Sequence, residues 1–110
     1  MTSPRDDDRI AHIVDACEQA ASFISGKTRD DLEHDRMLQL ALVKLVEIIG
    51  EAAKAVSDDT RRRYPDVPWS LAARTRDRLT HHYFEVDLEV LWSTVTASLP
   101  ALLTGLHTAP

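Results

Sequence analysis

The sequence predicts an all-α fold, an up-and-down bundle of four main helices with one additional short helical turn. Apolar residues recur at three- and four-residue spacing along most of the chain, the period of a helix with one buried face. Val, Ile, Tyr and Phe do not alternate with polar residues for long, so the period of a half-buried strand is missing. The length, 110 residues, is that of one domain, and residues 1–110 are expected to share a single core.

The first helix is expected over residues 6–25, where Ile10, Ile13, Val14, Cys17, Ala20, Ala21 and Ile24 form one stripe. Gly26 is placed to close it, and Asp30 or Asp31 can cap the next helix. That second helix, residues 32–56, is the strongest structural signal. Leu38, Leu42, Leu45, Ile49, Ala52 and Val56 make a seam, and Ala41, Val43, Val46, Ile48 and Ala53 widen it beyond one face. A helix apolar on two faces must be covered on two faces, either by its own neighbours or by a second copy of the chain.

Residues 57–63 suit a turn of helix stopped at Tyr64-Pro65. Pro65 and Pro68 stiffen the connection, and Pro68 suits the first position of a third helix over residues 69–82. Asp87 is a good N-cap for a fourth, with Leu88, Leu91, Trp92, Val95, Leu99, Leu102, Leu103 and Leu106 on its apolar side. Pro100 is expected to kink that helix or end it early.

Composition narrows the function classes. One cysteine, Cys17, rules out a disulfide within the chain, and its apolar neighbours predict a buried thiol. The first eight residues are polar and acidic, without the apolar core of a signal peptide. No stretch reaches the roughly 18 uninterrupted apolar residues of a membrane helix, so a cytoplasmic location is expected. The net charge of −5 argues against tight, unspecific nucleic-acid binding. The charge is uneven, however. Residues 58–83 carry six arginines against four acids, a local +2 on an acidic body.

Chemistry concentrates in residues 76–83, which hold Arg76, Asp77, Arg78, His81, His82 and Tyr83. Cutting RNA without a metal needs a proton-transfer group that titrates near neutrality and a cation for the phosphorane. His and Arg supply both, and RNA brings its own 2′-hydroxyl nucleophile. On one helix Asp77 and His81, four apart, share a face, so the carboxylate could orient the imidazole. Arg76 and His81, five apart, diverge by about 140° at 3.6 residues per turn. Either the helix unwinds near His81 or a second copy completes the site across a two-fold axis, and the second arrangement is expected. Taken alone, such spacing usually marks no more than a solvated arginine face carrying weak ion pairs. His81 and His82 are adjacent, unlike the i, i+4 pair of a helical zinc site, and His12, His34 and His107 are scattered. No metal site and no cofactor are expected. Phosphate-loop and Gly-x-Ser-x-Gly motifs are absent from the sequence.

Arg76 to Tyr83 match the pattern Arg-x-x-x-x-His-x-Tyr, and by it the chain resembles the HepT-like branch of the HEPN superfamily. Further matches are residues 35–39, residues 47–53, Tyr64-Pro65-Asp66-Val67-Pro68-Trp69 and residues 82–87. The resemblance implies a homodimeric helical bundle acting as a metal-independent endoribonuclease toxin. Its cleft would use Arg76 and His81, with Asp77 as the polar residue after the arginine. It further implies a minimal nucleotidyltransferase antitoxin that adds AMP to the motif tyrosine, here Tyr83. Bulky phosphates beside Arg76 would then repel substrate. This chain departs from the pattern at Arg74-Thr75, where relatives often carry a small residue and methionine, and at His82, often glycine. Arg74 either extends the RNA-contacting surface or is a solvated arginine, and His82 competes with His81 for the acid/base role, which the motif gives to His81; Arg74, Arg78 and His82 are candidate RNA contacts. The rival from another class is a non-catalytic HEPN scaffold that binds nucleotide or a nucleotidyltransferase partner. A nucleotidyltransferase itself is excluded, because no Gly-Ser followed by an Asp-x-Asp pair is present.

Overall fold

The computed structural model describes residues 4–82 and 85–107, with backbone alone at residues 4, 76, 80–82 and 85. Four main helical rods form the body: α1 (Pro4–Ile24), α3 (Arg36–Ala55), α5 (Trp69–Leu79), and a last rod made of α6 (Leu88–Ser93), a π-helical segment (Thr94–Ser98) and α7 (Leu99–His107). Two short helices, α2 (Arg29–Glu33) and α4 (Asp58–Arg63), join them, and a two-stranded ribbon, β1 (Thr80–His82) with β2 (Glu85–Val86), links α5 to α6. Among the described residues the fold is all-α apart from this ribbon.

Helix α3 is the spine. Leu42, Val46, Ile49 and Ala53 are shut off from solvent, because α1 packs along one side of α3 and α5 along the other. Its wide apolar surface is thus covered largely within the chain. Exceptions sit near one end, where Met37 and Leu40 on α3 are 83% and 53% exposed and Phe23 on α1 is 40% exposed.

The capping chemistry explains most boundaries. Gly26 adopts φ +73°, a left-handed conformation that glycine reaches without strain, and ends α1 as expected. The helix expected from residue 32 is instead broken in two. Thr28, not Asp30 or Asp31, caps α2: its hydroxyl accepts from the Asp31 amide at 3.1 Å, and the Asp31 carboxylate accepts from the Thr28 amide at 2.8 Å. Asp35 then turns extended and accepts from the Leu38 amide at 3.0 Å, starting α3 afresh. The Leu32 carbonyl accepts from the Asp35 amide at 3.3 Å and also from the Gln39 side-chain amide at 2.9 Å, which ties α3 to the end of α2.

Ser57 caps α4 and Asp87 caps α6. Pro68 stands one residue ahead of α5, its carbonyl accepting from the Ala72 amide at 2.9 Å. Pro100 does not end the last rod. It has no N–H and its ring crowds the carbonyl four residues back, and the chain answers with the π-turn just before it, where the Leu99 amide reaches back five residues to Thr94.

One buried charge ties these pieces together. Asp6, 1% exposed, accepts from the hydroxyls of Ser57 at 2.6 Å and Thr60 at 2.7 Å and from Arg9 at 3.0 Å. It thereby fastens the start of α1 to the start of α4. These donors, Ser57 first, lower its pKa from 3.8 to about 2. Because the folded pKa lies below the ordinary value, the carboxylate stabilises the fold fully above 3.8 and loses that contribution as pH falls toward 2. Replacing Asp6 with Asn is expected to lower the melting temperature at neutral pH by several degrees and to flatten the acid limb. Circular dichroism melts across that pH range would check both, and an unchanged acid limb would remove Asp6 from this role.

Candidate functional site

The motif residues lie where α5 gives way to the ribbon. Helix α5 was expected to run through His82, but it stops at Leu79. Thr80 is β-branched and pairs with Val86, while His82 pairs with Glu85 across an irregular register. The Leu79 carbonyl accepts from the Asp87 amide at 2.6 Å, so the chain closes back on the helix end and delivers Asp87 to cap α6. Arg76 therefore sits on a helix, and His81 and His82 on a strand. Tyr83 lies outside the described residues.

This changes the geometric argument for the site. The divergence of about 140° between Arg76 and His81 assumed one straight helix. Unwinding before His81, the first of the two arrangements weighed, is what the backbone shows. The i, i+4 relation between Asp77 and His81 disappears with it, so any contact between them must come from the ribbon turning back.

Helix α5 is held firmly. The Tyr64 and Trp69 rings meet edge to face, 6.4 Å apart at 78°, and the Trp69 indole N–H donates to the Tyr64 carbonyl at 3.1 Å. Gly105 on α7 lets this connection approach closely: a methyl group there would stand 3.0 Å from Val67 Cγ2 and 3.2 Å from the Asp66 carbonyl oxygen. On the inner side of α5, Ala72, Thr75 and Leu79 are buried, and the Thr75 hydroxyl donates to the Leu71 carbonyl at 2.7 Å.

The outer side of α5 forms an open groove lined by Leu71, Arg74, Asp77 and Arg78. Arg74 donates to the Ser70 carbonyl at 3.2 Å. Among the described residues neither Arg74 nor Arg78 has a carboxylate within 4.0 Å, and Asp77 has no basic partner there. The arginines of α4 differ. Arg61 donates to the Ala53 carbonyl at 2.9 Å and closes the end of α3, and Arg62 pairs with Asp59. The basic segment of the sequence thus separates into arginines committed to structure and arginines free to meet a ligand.

The elements and the motif agree with what a sequence comparison finds. The sequence model of the family described as Ribonuclease HepT-like matches residues 13–108. The chain belongs to the HepT-like ribonuclease family. Among HepT-like relatives, the protein named "Probable ribonuclease HepT" from Thermococcus cleftensis is 40% identical over 95 residues, 86% of either chain. Two proteins named "Putative RNase" are also similar. One, from Methanocaldococcus jannaschii, is 36% identical over 80% of this chain and 73% of its own. The other, from Caldanaerobacter subterraneus, is 35% identical over 93% and 89%. No solved structure matches with significance.

Away from the motif, Asp30, Glu33 and His34 bring potential metal ligands within 4.8 Å of one another, a group that a search for paired histidines passes over. All three are exposed, and the His34 Nδ1 lies 2.9 Å from the Asp30 carbonyl. That contact, together with the Asp30 charge, raises the His34 pKa. Cys17 is buried, and desolvation pushes its thiol up to about 12, which leaves it unreactive. Among the described residues no helix is long and apolar enough to cross a membrane.

Gly105→Ala is expected to destabilise the protein by about 1–3 kcal/mol, the usual cost of overpacking a tight contact. Urea denaturation would measure it, and an unchanged midpoint would show that the connection at residues 64–68 has slack.

Proposed function

We propose that this HepT-like protein is a metal-independent endoribonuclease toxin whose site is built around Arg76 and His81. The observation that carries the proposal is the intact Arg-x-x-x-x-His-x-Tyr motif, with Arg76 on α5 and His81 on the ribbon, beside Arg74 and Arg78, which among the described residues have no acid partner. His81 takes the proton from the 2′-hydroxyl as its oxygen attacks the adjacent phosphorus. The P–O5′ bond breaks, the 5′-oxygen takes a proton from water, the imidazolium returns its own proton to solvent, and a 2′,3′-cyclic phosphate remains. Arg76 balances the charge that builds on the phosphorane. Asp77 orients the histidine where the turn of the ribbon back on α5 brings the two together, and His82 adds an RNA contact.

The working unit in this proposal is a homodimer. Phe23, Met37 and Leu40 leave apolar surface that a second copy would cover, and a small domain gains stability from such burial. Tyr83 serves as the off-switch: a minimal nucleotidyltransferase antitoxin transfers AMP to its hydroxyl, and the added phosphates occupy the cleft that substrate needs.

Incubating the purified protein with total RNA tests the central claim. Cleavage is expected with and without chelator, and Arg76→Ala and His81→Ala should each reduce it by about 10²–10⁴-fold, the usual contribution of a proton-transfer group or a charge-stabilising donor. Full activity in either variant would refute the mechanism, and no cleavage by the wild type would favour the scaffold alternative. Tyr83→Phe should cleave normally while taking no AMP from the antitoxin, which intact mass spectrometry would read.

A further inference from the structure

We infer that the outer groove of α5 is a subsite for one strand of RNA, in which Arg74 and Arg78 hold successive phosphates and Leu71 meets an unstacked base. The inference rests on the ribonuclease reading above and names the form of RNA that the site accepts. Arg74 and Arg78 are four residues apart on one helix face, so their backbone positions are separated by about 6 Å along the axis at 1.5 Å per residue. That separation is of the order of the step between neighbouring phosphates along a single strand.

Both side chains are exposed, and among the described residues neither is drawn to a carboxylate. Placing a phosphate there does not require an internal ion pair to break first. The groove has a volume of about 520 Å³, within the range of roughly 300–1,000 Å³ typical of small-ligand sites. Leu71, half-buried one turn before Arg74, supplies an apolar wall on the same side.

The mixture of groups selects the strand state. In a duplex the base faces are hidden in the stack, so Leu71 finds no partner and the arginines meet only the backbone. A single strand offers phosphates and an open base face together. With Asp77 at its edge, the groove carries a formal charge of only +1, which suits a selective and salt-sensitive contact rather than a tight charge-driven one.

Titrating a short fluorescent uridine oligonucleotide, and an RNA duplex of equal length, into protein carrying His81→Ala tests this without cleavage. Arg74→Ala and Arg78→Ala are each expected to weaken oligonucleotide binding roughly ten-fold, as expected for a charge-assisted hydrogen bond. Each should also lower the slope of log affinity against log salt by about 0.7, the value for one lost phosphate contact on a single strand. Arg74→Lys and Arg78→Lys should restore the slope, while Arg62→Ala, whose guanidinium is already paired with Asp59, should change neither quantity. Oligonucleotide affinity indifferent to both alanine variants, or a duplex bound as tightly as the single strand, would overturn the subsite. A wild-type protein that cuts no RNA yet binds the oligonucleotide through Arg74 and Arg78 would sink the proposed activity and leave the subsite standing.

Discussion

Helix α3 has apolar side chains on two sides, and the rest of the architecture follows from the need to cover both. Its residues Leu42, Val46, Ile49 and Ala53 lose all or nearly all contact with water. Burying a leucine, valine or isoleucine stabilises a fold by roughly 1.5–3 kcal/mol each, so leaving either side open would cost more than a domain of this length can spare. Helix α1 takes one side and α5 the other. Helix α5 is thereby pinned by its inner face, with Ala72, Thr75 and Leu79 buried, and its outer face is left to solvent. The same contact that completes the core exposes Arg74, Asp77 and Arg78.

Charge is distributed with a similar division of labour. Asp6 is surrounded by hydroxyls and Arg9 and joins two helix starts. Arg61 serves the open end of α3, and Arg62 is matched with Asp59. Each of these charges has a partner within the chain, although the Nε of Arg61 is buried without one and the Arg62–Asp59 pair lies at the surface. On α5 the guanidinium groups of Arg74 and Arg78 have no such acid partner among the described residues, and they border the segment that bears Arg76. A net charge of −5 conceals this arrangement because it adds both kinds together.

The apolar spacing made the four main helices legible in the sequence, along with the buried seam of α3, the cap at Gly26 and the stop before Tyr64. Three boundaries were not legible, each for a local reason. The break between α2 and α3 depends on Thr28 and Asp35 winning backbone amides, a competition that periodicity does not register. The π-turn before Pro100 keeps the last rod running by adding a residue to one turn, an accommodation invisible to a rule that proline ends helices. The end of α5 at Leu79 is fixed by the Asp87 amide, eight residues further along. Arg76, His81 and Tyr83 were found through their pattern and family likeness. Asp6 was missed as an anchor because its partners Ser57 and Thr60 are more than fifty residues away.

The ribbon of β1 and β2 separates the two motif residues mechanically. Arg76 belongs to a helix braced along its whole inner face, whereas His81 belongs to a two-stranded pair, a structure only marginally stable without support. Its moorings are the Asp87 amide on the Leu79 carbonyl and the half-buried Val86. Opening that ribbon costs far less than unfolding the bundle. The position of His81 relative to Arg76 therefore depends on the pairing of β1 with β2 as well as on the bundle.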